Sequence, residues 1–119
     1  MFLLDYTGAS IDGASWDDVR TGLNKIENEE ATFRLMIYPE PESGPVSLGI
    51  QAEDGYYLMT LLLAVGGTRE YDAPPETDDM VSILGYEYDP AMVTKDYELV
   101  CRVVKEFFET GDVSKDILK

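Results

Sequence analysis

The sequence predicts an α+β domain: an antiparallel β-sheet of about five strands with two α-helices packed on one face. Three observations carry this expectation. Apolar residues recur with a helical period in two stretches, one near each end of the chain. Between them lie runs of strand formers punctuated by Asp-Gly, Gly-Gly and proline-rich turn signals. The length of 119 residues suits a single domain around one core.

Taken in order, Phe2–Tyr6 (FLLDY) reads as a short first strand, and Thr7–Ala14, with Gly8, Asp12 and Gly13, as a loop. Ser15 is placed to cap a helix, and Asp18 three residues on completes the spacing of a capping box. Trp16, Val19, Leu23 and Ile26 then share one helical face, which ends near Glu27–Asn28. Gly22 weakens this helix by about 1 kcal/mol relative to alanine, so it signals close packing at that point. Thr32–Tyr38 is rich in strand formers. Pro39, Pro41 and Pro45 keep the next segment irregular. Val46, Leu48, Ile50 and Ala52 alternate with small or polar residues, as in a strand with one wet face.

Asp54–Gly55 is a hairpin signal leading into Tyr56–Val65 (YYLMTLLLAV), the longest apolar run and the expected central strand. The run is too short to cross a bilayer as a helix. Gly66–Gly67 turns the chain back for a brief pairing through Thr68–Tyr71. Asp72–Asp79 forms an exposed acidic loop stiffened by Pro74–Pro75, and Met80–Leu84 with Tyr86 and Tyr88 reads as the last long strand. Thr94 or Asp96 caps a second helix running to about Thr110. Its buried stripe is Tyr97, Val100, Cys101, Val104, Phe107 and Phe108, and Gly111 stands at the C′ position. Ile117–Leu118 is expected to fold back onto the core.

Charge and missing residue types narrow the function. The formal net charge is −15, which opposes binding to nucleic acid or anionic lipid and favours a basic partner. Between Arg34 and Lys95 the only basic residue is Arg69. From Glu70 to Asp89 the acids Glu70, Asp72, Glu76, Asp78, Asp79, Glu87 and Asp89 meet no base at all. With no histidine in the chain, imidazole bases and histidine metal ligands are absent. The single cysteine, Cys101, excludes an internal disulfide and falls on a helix stripe, where it reads as core.

The acidic loop lacks the alternating ligands, glycine and closing glutamate of an EF-hand. Gly66–Gly67 lacks the spacing of a phosphate loop. No catalytic residue, metal or cofactor is therefore assigned. Without a leader-like or membrane-spanning segment, a cytoplasmic protein is expected, monomeric or weakly dimeric when free.

Tyrosine beside carboxylates suits a protein-binding surface, the rings supplying contact area and the acids steering. The expected partner-binding set is thus Glu70, Tyr71, Asp72, Glu76, Asp78, Asp79, Tyr86, Glu87, Tyr88 and Asp89. The same tyrosines equally fit half-buried sheet positions.

A small acidic α+β chain with a helix led by Trp16, and a striped helix ending in Phe107-Phe108-Glu109-Thr110-Gly111, resembles the immunity proteins of bacterial polymorphic-toxin and contact-dependent growth inhibition systems. The match is to an F-x-x-T-G ending followed by a short polar tail. Leu118 stands near the place where such tails often carry a tryptophan. The resemblance implies a protein that binds one cognate basic toxin domain, often a nuclease, and neutralises it by covering its active surface. Two other readings stand beside it: an acidic or DNA-mimic module that blocks a nucleic-acid-binding protein, and a carboxylate-dependent hydrolase.

Overall fold

The computed structural model describes residues 1–75 and 77–119. Strand β1 (Phe2–Tyr6) turns through Thr7 and Gly8, both at positive φ, into β2 (Ala9–Asp12). The segment expected to be a loop is therefore a hairpin. Its alternation of Ala9 and Ile11 with Ser10 and Asp12 spans too few residues to register as a period, and the flanking glycines mask it.

Helix α1 (Trp16–Ile26) begins at the expected capping box. The Asp18 amide donates to the Ser15 hydroxyl at 3.2 Å, and the Ser15 amide donates to the Asp18 carboxylate at 2.9 Å. These bonds satisfy two of the amides that a helix start leaves without partners. Val19, Leu23 and Ile26 are buried, whereas Trp16 is half-buried at the helix start, its ring 5.7 Å from that of Phe108. Gly22 is where the helix meets the sheet. A Cβ there would stand 2.9 Å from Tyr6 Cδ1 and 3.2 Å from Phe33 Cε2.

Strands β3 (Ala31–Ile37), β4 (Pro45–Glu53) and β5 (Tyr56–Leu63) follow, with Asp54 and Gly55 at positive φ in the β4–β5 turn. Such φ values at both turn residues match the twist of the strands they join. The central strand is shorter than the apolar run that announced it: Ala64 and Val65 belong to the turn, and Val65 is 81% exposed. After Gly66–Gly67 the chain pairs back as β6 (Thr68–Glu70).

The expected long strand over Met80–Tyr88 is instead a tight hairpin, β7 (Val81–Ile83) and β8 (Tyr86–Tyr88), turning at Leu84 and Gly85 with φ of 51° and 87°. Leu84 is apolar where turn chemistry calls for Asn, Asp or Gly, so only Gly85 marked the reversal. A 3₁₀ turn (Pro90–Met92) leads to β9 (Val93–Thr94) and then to α2 (Tyr97–Thr110). Asp96 caps α2, and Gly111 closes it at φ 78°, its amide donating to the Phe107 carbonyl at 2.8 Å.

The main sheet runs β2-β1-β3-β4-β5-β6, with β9 also on β5, and every pairing is antiparallel. It exceeds the five strands expected because β2 and β9 are too short to show in the sequence. Leu4, Phe33, Leu35, Ile50, Met59 and Leu61 lie on one face in cross-strand register, and both helices pack against that face. The α2 side of this core is Val100, Val103, Val104 and Phe107. Tyr97, Cys101 and Phe108, expected on the stripe, are only half-buried at its margins, and Val103 takes the central place.

The tail does fold back: Leu118 is fully buried and bridges to Tyr71. Arg69 holds it there. Its guanidinium donates to the carbonyls of Leu118 (3.0 Å) and Val113 (2.6 Å) and to the Asp112 carboxylate (2.9 Å). No helix among the described residues is long and apolar enough to cross a membrane.

Candidate functional site

Side chains alternate along a strand, so the residues between the buried ones line the sheet's second face. One end of that face is covered by a hairpin. There the β7–β8 hairpin lies across β4 and β5, and Leu58, Val81, Ile83 and Val93 close a second, smaller core beneath it. Two polar contacts fix the hairpin: the Leu84 amide donates to Glu53 Oε1 at 3.0 Å, and the Tyr88 hydroxyl donates to Gln51 Oε1 at 3.3 Å.

The predicted partner-binding residues divide between this hairpin and the sheet edge. Glu70 lies in β6, half-buried; its carboxylate accepts from the Thr68 hydroxyl and its carbonyl from the Lys119 amide. Tyr71 is half-buried beside Leu118. Both serve the attachment of the tail. Asp72, Asp78 and Asp79 are exposed on the connecting loop, and Glu76 lies outside the described residues.

On the hairpin, Tyr86 is 70% exposed, Glu87 is exposed, and Tyr88 is half-buried on Gln51. Asp89 is exposed and accepts from the Ala91 amide at 2.9 Å, capping the 3₁₀ turn. The Val81–Tyr88 pair closes the hairpin's open end, from which the segments carrying Asp79 and Asp89 run on. Among the described residues, none of these acids takes part in an ion pair.

Sequence reasoning missed two members of this surface. Glu53 and Asp54 line a cavity of about 220 Å³ with Thr77, Asp79 and the exposed Met80. They read only as a hairpin turn, and nothing local indicates that a segment 25 residues further on packs beside them. The Lys95 ammonium stands 4.6 Å from the centre of the Tyr56 ring, a cation–π geometry.

Beyond the hairpin the second face is more exposed, although Ser47 on it is buried. Its middle row runs Ser10, Asp5, Arg34, Gly49, Thr60 and Glu70, each opposite the next across the strands. Next to it runs the row Leu3, Met36, Ser47 and Leu62. A cavity of about 460 Å³ opens over the middle row, bounded also by Thr7, Thr32 and Gln51.

Among the described residues no three carboxylate or cysteine side chains converge on a metal position. Cys101 is half-buried, and burial pushes its thiol above the ordinary range. Burial does the same to the hydroxyls of Tyr97 and Tyr57. Tyr57 is fully enclosed, and its oxygen accepts from the Asn28 amide at 3.1 Å.

These features define a class: a small α+β protein with one helix-covered sheet face and a hairpin flanked by acidic residues laid across one end of the other. The chain belongs to the family of unknown function DUF6911, whose model matches residues 4–117. Its fold is similar to that of a hypothetical protein from Neisseria gonorrhoeae known from a crystal structure. The TM-score is 0.72 at 18% identity, over 95% of this chain and 91% of that one. No curated protein matches the sequence.

Proposed function

We propose that this chain is a non-catalytic inhibitor that binds a basic protein domain through the acidic hairpin, as an immunity protein binds its cognate toxin. The observation that supports it is the exposed tyrosine beside the hairpin turn, Tyr86, with exposed Glu87 next to it in β8 and exposed Asp78, Asp79 and Asp89 flanking the hairpin at its open end. A large exposed aromatic gives an anchor that fills a pocket on a partner. Unpaired carboxylates around it steer a cationic surface and raise the association rate. The hairpin is footed on the sheet through Leu58 and Ile83, so it presents these groups from a packed base.

The test is binding to a toxin domain encoded beside the gene, measured by calorimetry at low and high salt. Affinity is expected to fall as salt rises, and to fall further when Asp78, Asp79 and Glu87 are each changed to Lys. Tyr86→Ala should act mainly on the dissociation rate. Salt-insensitive binding that survives the charge reversals would refute this assignment of the surface. A gene neighbourhood without a toxin frame would refute the immunity reading.

A further inference from the structure

Gly49 lies in the middle of a central strand, and the fold supplies no reason for it. Of the ten glycines, eight adopt positive φ and occupy turns or caps, and Gly22 is required by Tyr6 and Phe33. Gly49 has neither excuse. Its φ is not in the left-handed region, and a Cβ built on it would meet nothing closer than the Thr60 carbonyl oxygen at 3.9 Å. A glycine inside a strand weakens it, and such a residue often marks a place where something approaches the backbone closely. Here the space left by the missing side chain is the floor of the 460 Å³ cavity on the open face. That volume lies within the range of about 300–1,000 Å³ typical of small-molecule sites.

The neighbours of this floor define what fits. Arg34 stands directly opposite Gly49 on one side, and Thr60 on the other. Asp5 faces Arg34 across the next pair. Although Asp5 and Arg34 are paired in register, no ion pair joins them among the described residues, so the guanidinium and the carboxylate each retain hydrogen-bonding capacity. A guanidinium with a free fork recognises a carboxylate in bidentate fashion. A free anion would be repelled by the net charge of −15. A ligand that brings a carboxylate to Arg34 must therefore carry its own compensating charge, and Asp5 is positioned to receive an ammonium.

We propose that the open face of the sheet holds a binding site for a zwitterionic amino acid over Gly49. Arg34 takes the carboxylate, Asp5 the ammonium, and Thr32, Gln51 and Thr60 line the wall. This site does not depend on the inhibitor reading: none of its residues lies in the hairpin, and only Gln51 among those named for it touches the hairpin, accepting from the Tyr88 hydroxyl.

Titration of the ¹⁵N-labelled protein with glycine, L-alanine and L-leucine tests it, with acetate and methylammonium as the two half-ligands. At least one amino acid is expected to cause saturable shifts at the amides of Asp5, Arg34, Gly49 and Thr60, and neither half-ligand to reproduce them. Arg34→Gln, Asp5→Asn and Gly49→Val should each weaken binding by about tenfold or more, the first two through the loss of a charged partner. The valine fills the floor with a residue suited to a strand, and peak dispersion in the same spectra reports whether each variant is folded. Equal shifts with acetate, unchanged binding by Gly49→Val, or no saturable shift up to roughly 10 mM of any amino acid would overturn the proposal.

Discussion

Arg69 holds the last segment of the chain through a side chain only 12% exposed. Replacing it with methionine keeps the apolar stem and removes all three donors. The carbonyls of Leu118 and Val113 then lose their partners, and Asp112 loses its counter-ion. Hydrogen bonds to a charged group contribute about 1.5–3 kcal/mol each, but three bonds on one guanidinium do not add fully. Asp112 is about half exposed, which discounts its share.

A loss near 3 kcal/mol is therefore expected for Arg69→Met, or about 10 °C in melting temperature for a domain of this size. Urea unfolding followed by tryptophan fluorescence measures it. Arg69→Lys should recover only part of the loss, because an ammonium cannot reach two carbonyls and a carboxylate in the fork geometry. A cycle with Leu118→Ala adds the diagnostic. If Arg69 acts by holding the tail, the two losses are strongly sub-additive, since a released tail no longer buries residue 118 in either case. A loss below about 1 kcal/mol, or full additivity, would show that the tail stays docked without the arginine.

Other outcomes follow from the same contacts. Gly22→Ala gains about 1 kcal/mol of helix propensity but overpacks Tyr6 and Phe33, which costs about 1–3 kcal/mol, so denaturant titration should show a net loss. Ser15→Ala removes one half of the capping box and should cost about 1 kcal/mol by the same assay. Alkaline pH should destabilise the fold. Burial holds Cys101, Tyr57 and Tyr97 above their ordinary values, so the folded state keeps protons that the unfolded chain releases. Their contribution is complete below about pH 8.5, the ordinary thiol value, and declines as pH rises past it and then past about pH 10 for the tyrosines. Melting temperatures across that range test this, and Cys101→Ala should remove the earlier part of the decline.

Legibility in the sequence followed the strength of local signals. The Ser15–Asp18 box, the Asp54–Gly55 turn and the C-terminal Gly111 each have a chemistry that works over a few residues, and each stands where it was read. Gly22 was legible because a glycine on a helix face otherwise has a cost without a return. What could not be read was set by distance or brevity. The four residues of β2 and the reversal at Leu84 give no usable period. Val103 is absent from the expected stripe because Cys101 and Tyr97 suggest one rotated from the true one. In the candidate site, the acidic loop was visible as composition, but its union with Glu53 and Asp54 depends on a hairpin crossing the sheet. Gly49 and Arg34 meet only through strand register, which no window of sequence displays.

The division of the interior into two cores has a bearing on how the molecule breathes. The larger core ties both helices to the sheet, whereas the smaller one, among the described residues, consists of Leu58, Val81, Ile83 and Val93 with their half-buried neighbours. Opening the smaller core exposes little apolar surface and leaves the larger intact, so residues 81–88 should exchange their amide hydrogens through a sub-global opening of low free energy. A partner that grips the hairpin would suppress that opening. Slowed exchange confined to Val81–Tyr88 would then locate the contact without any knowledge of the partner's structure.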